Sequence, residues 1–241
     1  MNIIKFLKCR YVDVDELMAR GLLVGKTVIY VNPFNYFSFR KNSIELDGLH
    51  FVFDGLFLSS LVGFTLLRSQ EVRRQPFDFS GFACTLFSYC NAHALRVFVA
   101  GGNNKESLDF REKMKSKFQG IKFCGNIDGY RPDDEIISAI IVSKADVVVL
   151  GLGNIKQERV AAKLGQFGNS ATIFTCGAFV SQTARSTSVF YYPRLINRFN
   201  LRWAYRFLKE PYIIKRVFLY YPAVVFTFFL DLLLYQFSSN K

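Results

Sequence analysis

The stretch Ala145-Asp146-Val147-Val148-Val149-Leu150-Gly151-Leu152-Gly153-Asn154-Ile155-Lys156-Gln157-Glu158 joins an unbroken apolar run to a glycine turn and then to a polar helix start. A strand buried on both faces reads as such a run, so 146–150 predicts a strand inside a parallel sheet. Gly151 and Gly153 let backbone approach a ligand closely. A helix beginning near Ile155 turns its unpaired N–H groups and positive dipole end toward the same point, which suits an anion. Taken alone the pattern is weak, since glycines after a strand are more often simple turn residues.

Other segments repeat it. Thr27–Val31 runs into Asn32, Phe51–Phe53 into Asp54-Gly55, Val97–Ala100 into Gly101-Gly102, and Ala171–Phe174 into Thr175, Cys176 and Gly177. In an open α/β sheet the carboxyl ends of parallel strands line one crevice, where ligands bind. Asn32, Asp54, Gly101, Gly102, Gly153, Gln157 and Gly177 are then expected to converge although they lie far apart in the chain.

The length of 241 residues allows one such core with a small appendage. Apolar residues make up 51 % of the chain and Phe alone contributes 27, so apolar side chains remain for a second surface. The five cysteines and two histidines show no paired metal-ligand spacing, which argues against a zinc site or a disulfide framework. Residues 1–20 soon carry Asp13, Asp15 and Glu16 and do not read as a secretory signal, which points to the cytoplasm. A formal charge of +12 calls for an anionic partner.

Arg194, Arg198, Arg202 and Arg206 recur at every fourth residue and form one slanting stripe on a helix. Lys209, Lys215 and Arg216 extend the charge, and Val217–Phe237 is strongly apolar. That segment is long enough to cross a bilayer, but Pro222 divides it and Asp231 would sit in hydrocarbon at a cost of about 3 kcal/mol. The reading adopted is a tail lying on or partly within a cytoplasmic leaflet, its cations at anionic headgroups. The alternatives are a solvated basic face or a helix buried against another subunit of a homo-oligomer. The apolar excess favours lipid over nucleic acid.

Asp54 is the best acid/base candidate, because it follows an apolar strand and precedes Gly55. A second role, capping a helix from Leu56, fits the same position equally well. Asp13-Val14-Asp15 has the spacing of a metal-binding DxD element but lies in a polar segment without a strand ahead of it, and reads as a helix start. Asp128-Gly129-Tyr130 and Asp133-Asp134-Glu135 read as a loop leading into a helix over 135–143, with the acids near its positive end.

These residues, in order, resemble the bacterial WecG/TagA/CpsF glycosyltransferase family, also called glycosyltransferase family 26. The likeness covers about 26–216: Val31-Asn32, Asp54-Gly55, Arg73 then Asp78, Val97 to Gly102, Gly129-Tyr130, Gly151 to Gly153 with Lys156-Gln157-Glu158, and Gly177-Ala178-Phe179. Trp203-Ala204-Tyr205-Arg206 with Glu210-Pro211 and Lys215-Arg216 closes it. The resemblance implies a Rossmann-like α/β core at about 1–193, mostly parallel and flanked by helices, and a basic, apolar helical appendage at about 194–241. It implies inverting transfer of a hexose-type sugar, such as N-acetylmannosamine, its uronate or glucose, from a UDP-sugar to a polyprenyl-diphosphate-linked saccharide. Such transfer belongs to surface-polysaccharide assembly at the cytoplasmic face of the inner membrane.

The implied roles follow the motifs. Asp54 takes a proton from the acceptor hydroxyl without a metal or other cofactor. Asn32, Arg73, Asp78, Gly101, Gly102, Gly153, Gln157, Glu158 and Gly177 belong to the substrate pocket. Arg206 and Arg216 close over it and stabilise the departing diphosphate. Departures from the family pattern are Tyr30 for Thr, Ile155 for Pro, Cys176 for Gly and Arg202 for an acid. They leave one rival, a non-catalytic membrane-associated subunit of a polysaccharide assembly complex. A Rossmann-type oxidoreductase is disfavoured, since no G-x-G-x-x-G follows the first strand.

Overall fold

The computed structural model describes residues 3–42, 46–67, 71–168, 170–186, 196, 201–209 and 212–239. Five strands form where the apolar runs predict them: β1 (Thr27–Val31), β2 (Leu49–Phe53), β3 (Arg96–Gly101), β5 (Val147–Gly151) and β6 (Thr172–Thr175). A sixth, β4 (Lys122–Ile127), carries no apolar run, because it is an edge strand with half-exposed residues and needs to satisfy only one neighbour. All pairs are parallel, in the order β2-β1-β6-β5-β3-β4.

The unbroken apolar runs are explained by cover on both faces. Ile29, Val31, Phe51, Phe53, Val148 and Leu150 pack on one side, against α1 (Ile3–Cys9), α3 (Pro33–Asn42), α4 (Leu56–Thr65), α7 (Asp133–Ser143) and α8 (Lys156–Gln166). Val28, Tyr30, Val52, Val97, Val99, Val147, Val149 and Phe174 point the other way, toward α2 (Val14–Ala19), α5 (Phe82–Ala92), α6 (Asn104–Lys117) and α9 (Phe179–Arg185). Aromatic rings fill this second layer: Phe77, Phe79, Phe82, Phe87, Phe110 and Phe179 contact one another with centroids 5.2–6.4 Å apart.

Local signals set several helix starts. Asp13 caps α2 by accepting from the Glu16 N–H at 3.0 Å. Asn103 and Glu106 form a reciprocal capping box at α6. α7 starts at Asp133, two residues before the expected 135, so Asp133, Asp134 and Glu135 fall within its first turn at the positive end of the helix.

The C-terminal segment forms α10 (Arg202–Lys209) and α11 (Tyr212–Ser239). Pro222 does not divide α11, which runs through it for 28 residues, about 42 Å. One stripe of α11 enters the first core layer, with Val224 and Phe228 fully buried and Asp231 beside them at 7 % exposure. The Asp231 Oδ2 accepts from the buried Tyr36 hydroxyl of α3 at 2.9 Å. The carboxylate that argued against a membrane segment therefore faces protein, and its cost is offset by a hydrogen bond.

Candidate active site at the strand ends

Because every strand points the same way, all six carboxyl ends fall on one edge of the sheet. Across it stand Asp54 after β2, Asn32 after β1, Cys176-Gly177 after β6, Gly151 to Gly153 at β5, Gly101-Gly102 at β3 and Asp128-Gly129 after β4. From β3 the chain proceeds outward to β4, and from β5 inward to β6. The β3/β5 junction is therefore a topological switch point, the usual ligand crevice of such sheets.

Glycine makes that junction. Gly101 pairs with Gly151, and a Cβ on Gly101 would lie 2.7 Å from the Gly151 carbonyl oxygen. A Cβ on Gly129 would come within 3.2 Å of Gly101 Cα. Gly153 and Gly177 take positive φ, +82° and +58°, with open space beyond them. Ile155 also takes a positive φ, 72°, a strained conformation for a β-branched residue, at the mouth of the same crevice.

Two carboxylates occupy the helix starts here. Glu106, 8 % exposed, accepts from the Asn103 N–H, Ser181 Oγ at 3.1 Å and Arg185 Nε at 2.5 Å. Burial opposes its charge, but these donors prevail and hold the carboxyl below its ordinary range. Glu158 lies in the first turn of α8, fully buried, where the sequence led us to expect N–H groups turned toward a ligand anion. Its Oε1 accepts from the side-chain amides of Gln157 and Asn35, so this carboxylate is held by neighbouring side chains. Burial pushes the Glu158 carboxyl up, and its Oε2 has no hydrogen-bond partner among the described residues.

A chain of amides ties the strand ends together. Asn32 Oδ1 accepts from the Phe34 and Asn35 N–H groups at 2.9 and 3.2 Å, capping α3 just before Pro33. Asn35, which sequence reasoning passed over, donates to the Tyr30 carbonyl at 2.8 Å and to Glu158 Oε1 at 3.4 Å. Gln157 donates to the same Oε1 at 2.8 Å, while its own carbonyl accepts from the Gly177 N–H at 3.0 Å. Gln157 and Asn32 thus set the positions of the β6, β1 and β5 loops.

At the β2 end, Gly55 takes the N-cap position of α4, so the capping role left open for Asp54 falls to its neighbour. The Asp54 carbonyl accepts from Arg74 Nε at 2.7 Å. Arg73 instead sends its guanidinium to Glu71 at 2.7 Å and is 61 % exposed. Only a one-residue shift separates the two arginines, and the parallel bridge between Phe53 and Arg74 decides which one turns inward. Asp78 Oδ1 accepts from the N–H and hydroxyl of Ser80. Tyr30 is 4 % exposed, its ring edge-on to Phe77 at 5.2 Å and its hydroxyl without a hydrogen-bond partner among the described residues. Burial, followed by the nearby charges of Asp54, Asp15 and Asp78, raises its pKa well above the ordinary phenol value.

Asp13 and Asp15 both accept from Gln75 Nε2 at 2.9 Å, so the DxD pair clamps the 71–75 segment to α2. Arg206 lies in α10 and Arg216 in α11, but their side chains fall outside the described residues, as do Arg194 and Arg198 altogether.

The model of the glycosyl transferase WecG/TagA/CpsF family matches residues 47–238. A protein of Shigella boydii described as "UDP-Gal:alpha-D-GlcNAc-diphosphoundecaprenol beta-1,4-galactosyltransferase" is 30 % identical over the whole of this chain and 99 % of its own length. A Bacillus subtilis "N-acetylglucosaminyldiphosphoundecaprenol N-acetyl-beta-D-mannosaminyltransferase" is 24 % identical over 90 % of this chain and 81 % of its own. A Bacillus spizizenii protein of the same description is 32 % identical over 48 % of this chain and 45 % of its own. With a six-stranded parallel sheet, a glycine-lined switch point and an aspartate at the end of β2, this chain belongs to the WecG/TagA/CpsF family of glycosyl transferases.

Proposed function

We propose that this glycosyltransferase moves a sugar from a UDP-sugar to a saccharide carried on polyprenyl diphosphate, with inversion at the anomeric carbon. The observation that carries the reading is the division of the strand-end edge: open glycine backbone at β3, β5 and β6, and a carboxylate at β2. The glycine side suits a nucleotide diphosphate, which needs close backbone approach. Asp54 takes the proton from the acceptor hydroxyl as its oxygen attacks the anomeric carbon, and the bond to the diphosphate breaks with its electron pair leaving on UDP. Arg206 and Arg216 meet that charge from the tail. Asn32, Gln157 and Glu158 hold the loops in place, while Arg74 rather than Arg73 braces the Asp54 end.

The protein works from the cytoplasmic face of the bacterial inner membrane as a peripheral protein. The outer side of α11 supports this: Phe218, Leu219, Phe226, Leu233 and Phe237 are 52–73 % exposed. The 21-residue apolar stretch within it is docked along the core by its inner stripe, which suits a helix lying in one leaflet.

The test is UDP release by full-length protein and Asp54→Ala in vesicles carrying GlcNAc-diphosphoundecaprenol, with UDP-Gal and UDP-ManNAc leading a donor panel. Acceptor-dependent release from one donor, lost in the variant, supports the reading. A folded, membrane-bound protein that releases UDP from no donor supports a non-catalytic subunit instead.

A further inference from the structure

Helix α4 is more apolar than its packing requires. Leu58 and Val62 are fully buried, whereas Leu56 is 51 % and Phe64 76 % exposed. The helix follows the edge strand β2, and its Phe57 ring stacks on Tyr221 of α11 at 5.1 Å. The exposed apolar faces of α4 and α11 are thereby continuous, well beyond the single scattered residues that a soluble surface carries. Cations border the far end of α11: Lys5 and Lys8 of α1 are exposed, and Lys8 Nζ lies 5.8 Å from the Tyr235 ring centroid. A second copy covering this face would bring together two chains of net charge +12, whereas an anionic leaflet complements that charge.

We infer that α4 is a second lipid-inserting element, entering the same leaflet of an anionic bilayer beside α11. The inference rests on the reading of α11 as lipid-facing and of Asp54 as the base, and adds a geometry to both. Asp54 stands two residues before α4 and is therefore held at headgroup level. An acceptor anchored in that leaflet by its polyprenyl chain presents its sugar to the β2 end of the crevice. The glycine junction begins about 14–19 Å away, three to four strand spacings along the sheet, and is left to the soluble donor.

The test uses full-length protein, sedimented with phosphatidylglycerol-containing vesicles. Phe64→Glu and, on α11, Phe226→Glu are each expected to weaken partitioning at least about tenfold, with UDP release from a detergent-solubilised acceptor unchanged. Phe64→Trp is expected to add indole emission that brominated acyl chains quench, beyond the signal of Trp203. If Phe226→Glu weakens binding while Phe64→Glu does not, and the added indole is unquenched, α4 stays out of the bilayer and the inference falls. If Phe64→Glu dissociates an oligomer without changing vesicle binding, a second copy covers α4 and the inference falls likewise. Wild-type protein that ignores vesicles overturns the tail reading along with it. Asp54→Asn active in detergent overturns the base assignment alone.

Discussion

The two ends of the strand-end edge work by opposite means. At β3 and β5, Gly101, Gly129 and Gly151 make room by having no side chain, and the backbone is packed so closely that a methyl group on Gly101 has nowhere to go. At β1 and β2, side chains fill the space: the Tyr30 ring packs edge-on against Phe77, and the charges of Asp54, Asp15 and Asp78 act on its buried hydroxyl. The first end is shaped for a ligand that brings its own charge. The second holds charge in the protein. On the function proposed above, the difference teaches that a single sheet edge serves two substrates without two domains, because the identity of the residue ending each strand is independent of the strand's own packing.

The sharpest way to break this comparison is Asp54→Asn, which keeps the side chain's size and removes its basicity. Turnover should fall by about 10²–10⁴-fold while the melting temperature holds, as seen by UDP release and thermal unfolding. Gly101→Ala attacks the other end and should act through the fold, since the new Cβ meets backbone rather than a flexible side chain. A loss of about 3 kcal/mol is expected in denaturant unfolding. An unchanged midpoint would mean that the β3/β5 junction is looser than drawn.

Two smaller effects sharpen it. His50, on β2, has its pKa brought down to about 4 by burial and by the charges of Lys26 and Arg10. The unfolded chain takes up this proton near pH 6.5 and the folded one only near 4. Stability is therefore complete above pH 6.5 and declines as the pH falls toward 4, by roughly 2 kcal/mol after allowance for the ring's partial exposure. His50→Gln should flatten that part of the pH–stability curve. Tyr30→Phe removes a buried hydroxyl that has no hydrogen-bond partner among the described residues, so stability should rise by about 1 kcal/mol. If activity drops at the same time, the hydroxyl is kept for the reaction at the expense of the fold.

Much of the architecture was legible in particular runs. Five strands, the cap at Asp13, the acidic first turn of α7 and the start of α8 within a residue of Ile155 all follow from patterns a few residues long. β4 was not legible, because an edge strand need not be apolar, and its Lys122 to Ile127 segment alternates without a clear face. Of the site residues, the glycines and Asp54 could be placed because a strand end is a local feature. Whether Arg73 or Arg74 faces Asp54, and whether Gln157 places its amide oxygen on Gly177, depends on partners 19 to 20 residues away in the chain.

The tail shows the same limit. Its composition announced a long apolar segment with one acid, and from the sequence the acid counted against burial in lipid. The Tyr36 hydroxyl, 195 residues earlier in the chain, turns that acid into a peg that holds α11 on the core and leaves Phe218, Phe226 and Phe237 outward. By itself the sequence determined the family, the parallel strands and the chemistry ending each strand, because these rest on residue type and short-range spacing. Only the tertiary structure decided strand order, which polar groups are already satisfied, and which side of α11 faces out, because each depends on contacts between segments distant in the chain.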